Sequence, residues 1–381
     1  MKQYYLWLIL AFGAGNPIIN GLLGKFGSPK AVYEAIRGNC AAIGAENVRL
    51  AESTDLSEAK ELIGTLSQRG IELITISDKR YPPRLRNIEN PPCLLFAAGN
   101  TRLLGEKLVT TAGSRAVTHY TLAAQDKICR ELSDDYVFVS TLSEGCDAMT
   151  CLCAVKNGKG CVEVLPCGFD YEYPRYSRTL RFQLLAQGGC VITEYPPSVK
   201  PIPSNFSRRS RILGGISGAL IIFQAGTDSG ALLAANYSPA VFFLPPHNVF
   251  AKEYAGAAAS VRAGARMYCG KSDIDAAFSA DFSPMELHLQ RKKREKPAGK
   301  PKPMSKKTEK QPENPPLSRD DFETELQFAV YTKLSQSDEP THYDVIFSGL
   351  DCSIAELSEA LLDLEIDGKL RVYPGNRYGL I

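Results

Sequence analysis

Residues 108–115 read LVTTAGSR. A short β-rich run ends on Gly113-Ser114-Arg115, so a strand is predicted to feed directly into a turn that suits an anion. Gly lets a backbone approach closely, Ser offers a hydroxyl, and Arg can clamp a phosphate through two parallel N–H bonds. Further runs of the same kind follow: YVFVST (136–141), CVEVLP (161–166), CVITEY (190–195), ALIIFQ (219–224), AVFFLP (240–245) and RMYC (266–269). They are continuously apolar rather than alternating, as strands buried on both faces are. Helical stretches separate them at spacings of about 20–30 residues, which fits right-handed strand–helix–strand units. The predicted fold is α/β, with a Rossmann-like, doubly wound parallel sheet at its core. Ligands of such sheets bind beyond the carboxyl ends of the strands.

The other turns carry matching chemistry. After the second run comes Ser143-Glu144-Gly145-Cys146-Asp147, where Asp147 suits a helix N-cap. After the fifth comes Gly226-Thr227-Asp228-Ser229-Gly230, a second Gly-rich turn opening a helix. Between the fourth and fifth runs lies NFSRRSR (205–211), with Phe206, Arg208, Arg209 and Arg211. Residues 174–211 hold Arg175 and six other basic side chains against Glu194 alone, a net charge of +6. The whole chain hides this segment, because 44 Lys+Arg stand against 42 Asp+Glu for a net of +2. Residues 291–310 carry +8, residues 311–381 carry −9, and the remaining 290 carry +3. That balance excludes a protein basic all over but not a local basic rim. Several phosphate-suited turns along one edge fit a polyanion better than one small phosphate. Backbone contacts of that kind give little sequence preference.

Other ligand classes fit worse. A dinucleotide dehydrogenase wants G-x-G-x-x-G after the first strand, and the sequence offers AGSR there. The P-loop pattern G-x-x-x-x-G-K-[ST] is absent. Phosphoribohydrolases of related shape carry PGGxGTxxE, whereas GTDSGALLA (226–234) lacks both the paired Gly-Gly and the Glu. A nucleotide or nucleoside hydrolase would instead have to recruit Glu144, Asp147 or Glu194 as its base. The eleven cysteines are scattered without a CxxC pair and only four His are present, so no metal or other cofactor is expected.

The chain of 381 residues is long enough for two or three domains. Residues 1–66 look helical, with Gly13-Ala14-Gly15-Asn16-Pro17 breaking the first helix and Ser28-Pro29 capping another. A helix, a Gly-x-Gly turn and a second helix fit either a phosphate-meeting helix–hairpin–helix unit or a plain bundle turn. The apolar run 4–12 is too short to span a bilayer, and reduced core thiols suit a cytoplasmic protein. The core is expected over 67–290. A basic, Pro-rich linker follows over 291–316, where no core can form. Residues 317–381 read as three helices and a hairpin turning at Pro374-Gly375-Asn376, a winged-helix-like pattern. Its candidate recognition helix carries Glu356, Glu359, Asp363 and Glu365 and no Lys or Arg over 353–368. A duplex would be repelled there, so a protein-interaction or spacing role is expected.

In order, these motifs resemble the DNA-processing protein A family, also called DprA or Smf. YPPRLRNIENPPCLLFAAGN (81–100) looks like the family's lead-in to its first strand. AGSR (112–115) is similar to VGSR, LSEGCDA (142–148) to LARGIDA, and VLPCGFDYEYP (164–174) to VLGTGLDxxYP. TEYPP (193–197) is similar to SEYPP, NFSRRSRILGGIS (205–217) to NFPxRNRIIAGLS, and DSGALLAA (228–235) to GSGSLITA. The resemblance implies a Rossmann-like core that binds single-stranded DNA. It further implies a non-enzymatic dimer that protects incoming DNA in natural transformation and loads the RecA recombinase. Carried residue by residue, phosphate contacts fall on Gly113, Ser114 and Arg115, on Arg209 and Arg211, and on Ser229 and Gly230. Phe206 is the family's aromatic and is open to two roles, base stacking or core packing. Arg208 and Arg175 extend the basic rim. The chain departs from the pattern at Cys151, Ser207, Ser210, Pro166 and Ala258. The helix after Gly230 is expected to be about a turn short, stopped by Ser238-Pro239.

Overall fold

The computed structural model describes residues 1–279, other than 39, 41, 42, 175 and 176, and most of 318–380. The chain divides into two units, Met1–Lys292 and Lys293–Ile381. Nine strands form one sheet in the first unit. They are β1 (Ile71–Thr75), β2 (Leu94–Gly99), β3 (Leu108–Ala112), β4 (Val137–Ser140), β5 (Cys161–Val164), β6 (Cys190–Thr193), β7 (Ala219–Ile222), β8 (Val241–Phe243) and β9 (Arg266–Met267). Their order is β1-β2-β6-β5-β4-β3-β7-β8-β9. All pairings from β6 through β9 are parallel. Every residue of β3, β5, β6 and β7 is buried, which is why those segments carry apolar runs rather than an alternating pattern.

The sheet differs from a purely parallel one at one edge. β1 and β2 form an antiparallel hairpin pair, and β2 joins β6 antiparallel. The lead-in segment thus supplies a strand of its own, a role its resemblance did not suggest. The order reverses at β3, since β4, β5 and β6 extend to one side and β7, β8 and β9 to the other. The turns leaving β3 and β7 therefore diverge and open a crevice at the carboxyl edge.

Among the described residues, five α-helices precede the sheet. Ser28 caps Pro29–Arg37 by accepting from Ala31 N at 3.2 Å, with Pro at the first position as expected. Trp7 is fully buried and donates to Thr54 O at 2.9 Å, tying the first helix to the turn before the fifth. Gly15 sits at φ +69°, where a Cβ would lie 3.1 Å from Glu194 Oε2. Asn90 Nδ2 donates to Gly15 O at 2.9 Å and Arg208 Nη1 to Ala14 O at 3.3 Å. The Gly-x-Gly turn is thus packed on the core beside a carboxylate.

In the second unit β10 (Thr341–His342), β11 (Leu370–Tyr373) and β12 (Arg377–Leu380) pair antiparallel in the order β10-β12-β11. Tyr373 faces Arg377 across the hairpin. The turn 374–376 and the linker 291–316 lie outside the described residues. Helices Glu325–Leu334 and Tyr343–Phe347 pack with Leu357, Leu361 and Leu364, whose three- and four-residue spacing marks one face of the acidic segment. Glu356 is exposed on that segment, whereas Glu359 and Glu365 lie outside the described residues.

Candidate nucleic-acid interface

A cavity of about 620 Å³ opens in the crevice between the β3 and β7 turns. Gly113, Ser114 and Arg115 line it from β3, and Gly226 through Ala231 line it from β7. Thr141, Ser143 and Asp147 contribute from the β4 turn, and Phe206 and Arg209 from the helix Pro203–Gly215. Three turns far apart in sequence meet here because β3, β4 and β7 are adjacent strands ending at one level.

The approach is close enough to dictate glycine. A Cβ on Gly113 would overlap the Cys146 side chain. Gly145 has φ +80° and ψ −128°, and a Cβ there would strike the carbonyl oxygens of Ser114 and Arg115. Cys146 N donates to Ser114 O at 3.1 Å, locking the two turns together. The Arg115 side chain is exposed at the rim, and among the described residues no ion pair holds it. Arg115 and Ser143 also line an adjoining cavity of about 380 Å³ with Tyr171 and Tyr173.

The three arginines of NFSRRSR diverge, as successive positions on a helix must. Arg209 enters the cavity wall, with its guanidinium 5.4 Å from the Phe206 ring centroid and Nη1 donating to Val164 O at 3.4 Å. Burial lowers the pKa of its guanidinium from the ordinary value. Arg208 is exposed and reaches Ala14. Arg211 turns away from the cavity altogether. It is 5% exposed and pairs with Glu194 through Nη1 and Nη2 at 2.7 and 2.6 Å. Its Nε donates to Asn90 O at 2.9 Å. Burial pulls this guanidinium's pKa down, but the Glu194 hydrogen bonds and the Glu194 charge together outweigh that and leave it raised. The expected phosphate clamp at Arg211 therefore meets a different geometry, because a buried carboxylate already occupies its fork.

Phe206 is half-buried against Tyr173, with ring centroids 5.1 Å apart at 75°, and its remaining surface lines the cavity. Ser229 and Gly230 stand on the rim, and the helix after them is one turn long, Leu232–Ala235. Arg175 lies outside the described residues. Lys252 and Leu213 also line the cavity and were not singled out from sequence. Lys252 comes from the segment after β8, whose position at the carboxyl edge was the available signal.

Asp147 corrects a second expectation. Gly145, not Asp147, is the N-cap residue of Cys146–Lys156. Asp147 instead folds under the β3 turn, where Oδ2 accepts from the Thr141 hydroxyl. Burial pushes its carboxyl up to about 6, against the pull of Thr141, Arg209, the Gly113 amide and Arg115. A carboxyl whose pKa is higher in the folded chain than in the unfolded one favours folding below its unfolded value. That contribution is lost as pH rises through about 6. Asp147→Asn is therefore expected to stabilise the chain by about 3 kcal/mol at pH 7, with the gain vanishing near pH 4. Urea unfolding of both proteins across that range checks it, and an unchanged or lowered stability at pH 7 contradicts it.

Of the three carboxylates a hydrolase would recruit, only Asp147 lines this cavity. Glu194 is held by Arg211, and Glu144 is an exposed residue of the adjoining cavity.

The sheet and its crossovers define a doubly wound α/β protein, with a crevice of anion-suited turns at its switch point. Comparison with known proteins narrows that class. Residues 72–279 match the family described as DNA recombination-mediator protein A, and residues 309–376 match the DprA winged helix domain. The chain belongs to the DNA recombination-mediator protein A family. It is 30% identical over 225 residues to the DNA processing protein DprA of Bacillus subtilis, covering 56% of this chain and 73% of that one. It is 29% identical over 334 residues to the protein Smf of Synechocystis, covering 82% and 80%. The X-ray structure of DprA from Streptococcus pneumoniae superposes with a TM-score of 0.61 at 26% identity. That match covers 73% of this chain and 99% of the other. Family membership gives the chain a DNA-processing role in recombination. Among the described residues no helix is long and apolar enough to cross a membrane.

Proposed function

We propose that this chain is a single-stranded DNA-binding protein that holds strand phosphates along the carboxyl edge of its sheet. The observation that carries this reading is the cavity at the switch point, which the β3 and β7 turns line together with Arg115, Arg209 and Lys252. One edge thus offers turn amides, hydroxyls and three cations, which suit successive phosphates rather than a single anion. Membership in a family of recombination mediators supports the same reading. The chain acts without catalysing a reaction, in the cytoplasm, as a homodimer that protects incoming DNA and loads the RecA recombinase. Its working parts are a helical front (1–66), a DNA-binding core (67–290), a basic linker (291–316) and an acidic winged-helix module (317–381) that engages protein rather than duplex.

Phosphate contacts are assigned to Gly113, Ser114, Arg115, Arg209, Ser229 and Gly230, with Lys252 added and Arg211 given to the fold. Arg115→Ala is expected to weaken binding of all single-strand sequences alike, by about tenfold at low salt. It also reduces the salt slope by about one. Gel shifts with homopolymeric strands across a salt series check this, and an unchanged slope rejects the assignment.

A further inference from the structure

A separate cavity of about 280 Å³ lies at the other edge of the sheet. Its lining includes Leu108, the first residue of β3, and Gly218, which immediately precedes β7. The two strands are parallel, so this is the amino edge, a strand's length from the Gly-rich turns. Leu104, Leu108 and Ile216 are buried there, and Phe278 is half-buried. The volume falls just below the range of about 300–1,000 Å³ that encloses whole small molecules, so it suits a large side chain.

Two exposed cations stand on its rim, Arg84 and Lys107. The Arg84 guanidinium lies 5.7 Å from the Phe278 ring centroid, and Lys107 Nζ lies 6.0 Å from that of Tyr136. Among the described residues neither cation is held in an ion pair. Glu106 is the acidic member of the lining, so the rim keeps a net positive charge.

The chain passes this cavity as it leaves the sheet. The Phe278 ring packs on Gly218, where a Cβ would lie 2.6 Å from it. The described part of the core ends one residue later, at Ser279. Next in the sequence come Asp281, Phe282, Met285 and Glu286. Two acids and two large apolar side chains thus follow a site of two cations and an apolar floor. Phe282 stands four residues beyond Phe278, a span of at most about 14 Å. So short a tether gives an effective concentration on the order of millimolar, which favours this segment over a free peptide of the same chemistry.

We infer that residues 281–286 dock in the amino-edge cavity, with Phe282 against Leu104 and Ile216 and with Asp281 and Glu286 facing Arg84 and Lys107. Docking starts the basic linker from the amino edge, away from the Gly-rich turns. It needs no nucleic acid, so it stands apart from the single-strand reading.

Hydrogen exchange of the full chain without DNA, read by mass spectrometry over residues 282–287, tests this. Those amides are expected to exchange about tenfold more slowly than an unstructured chain. Phe282→Ala removes most of that protection. The double variant Arg84→Glu, Lys107→Glu reduces it severalfold, as exposed ion pairs allow. Adding Asp281→Lys and Glu286→Lys to that double variant restores the protection, a rescue that a misfolded core would not give. Exchange at the unstructured rate in the wild-type chain overturns the docking. Protection untouched by Phe282→Ala or by the charge reversal overturns this cavity as its seat. Protection that appears only as the protein concentration is raised overturns docking within one chain in favour of a second copy.

Discussion

Arg211→Ala is expected to lower the melting temperature of the chain by about 10 °C, and to do so without removing a DNA contact. Arg211 and Glu194 form a two-pronged ion pair in which both side chains are almost wholly buried. The pair joins the helix Pro203–Gly215 to the end of β6, and Arg211 also ties in the lead-in segment through Asn90 O. Removing one partner leaves the other charge buried and uncompensated, which costs about 3–5 kcal/mol. Glu194→Ala should cost as much. Replacing both by apolar residues of similar volume should recover most of the loss, because the penalty lies in the orphaned charge. Scanning calorimetry of the two single variants and the double variant checks this. A melting temperature within a degree or two of wild type in Arg211→Ala would contradict the assignment of Arg211 to the fold.

Gly145→Ala is expected to abolish high-affinity DNA binding and to destabilise the chain by several kcal/mol. Its backbone occupies φ +80°, ψ −128°, which non-glycine residues avoid at a cost of about 1–3 kcal/mol. The added methyl group would also overlap the carbonyl oxygens of Ser114 and Arg115. The β4 turn could then stay near the β3 turn only by displacing Gly113-Ser114-Arg115, the centre of the cavity. Circular dichroism with strand titration separates the two effects. Wild-type affinity in a folded Gly145→Ala protein would show that the two turns need not meet for binding.

Much of this architecture is legible in the residues themselves. The strands β3 to β8 stand out because both their faces are covered, which leaves Glu163, paired with Arg181, as their one charged residue. The switch-point location follows from strand order once the sheet is recognised as doubly wound. β1 and β2 are harder to see. IELIT is broken by the exposed Glu72, and LLFAAG ends in small residues and follows the Pro-rich lead-in, so neither stands out as a strand feeding a Gly-rich turn and helix. The fates of Arg208, Arg209 and Arg211 are a tertiary fact. Four adjacent letters rank them equally, and only the position of Glu194 decides which one is spent on the core. Asp147 is similar. Its place in a turn before a helix suggests a cap, whereas the tight Gly113–Cys146 approach pulls it inward.

The net charge of +2 masks these local sites, and regional counting restores them. The most direct measurement is fluorescence anisotropy of single-stranded and duplex oligonucleotides of one length with the full chain, from about 50 to about 200 mM salt. Phosphate contacts along the switch-point edge predict preferential single-strand binding, with log affinity falling linearly as log salt rises. Equal binding of duplex, or no single-strand binding at the lowest salt, would contradict it.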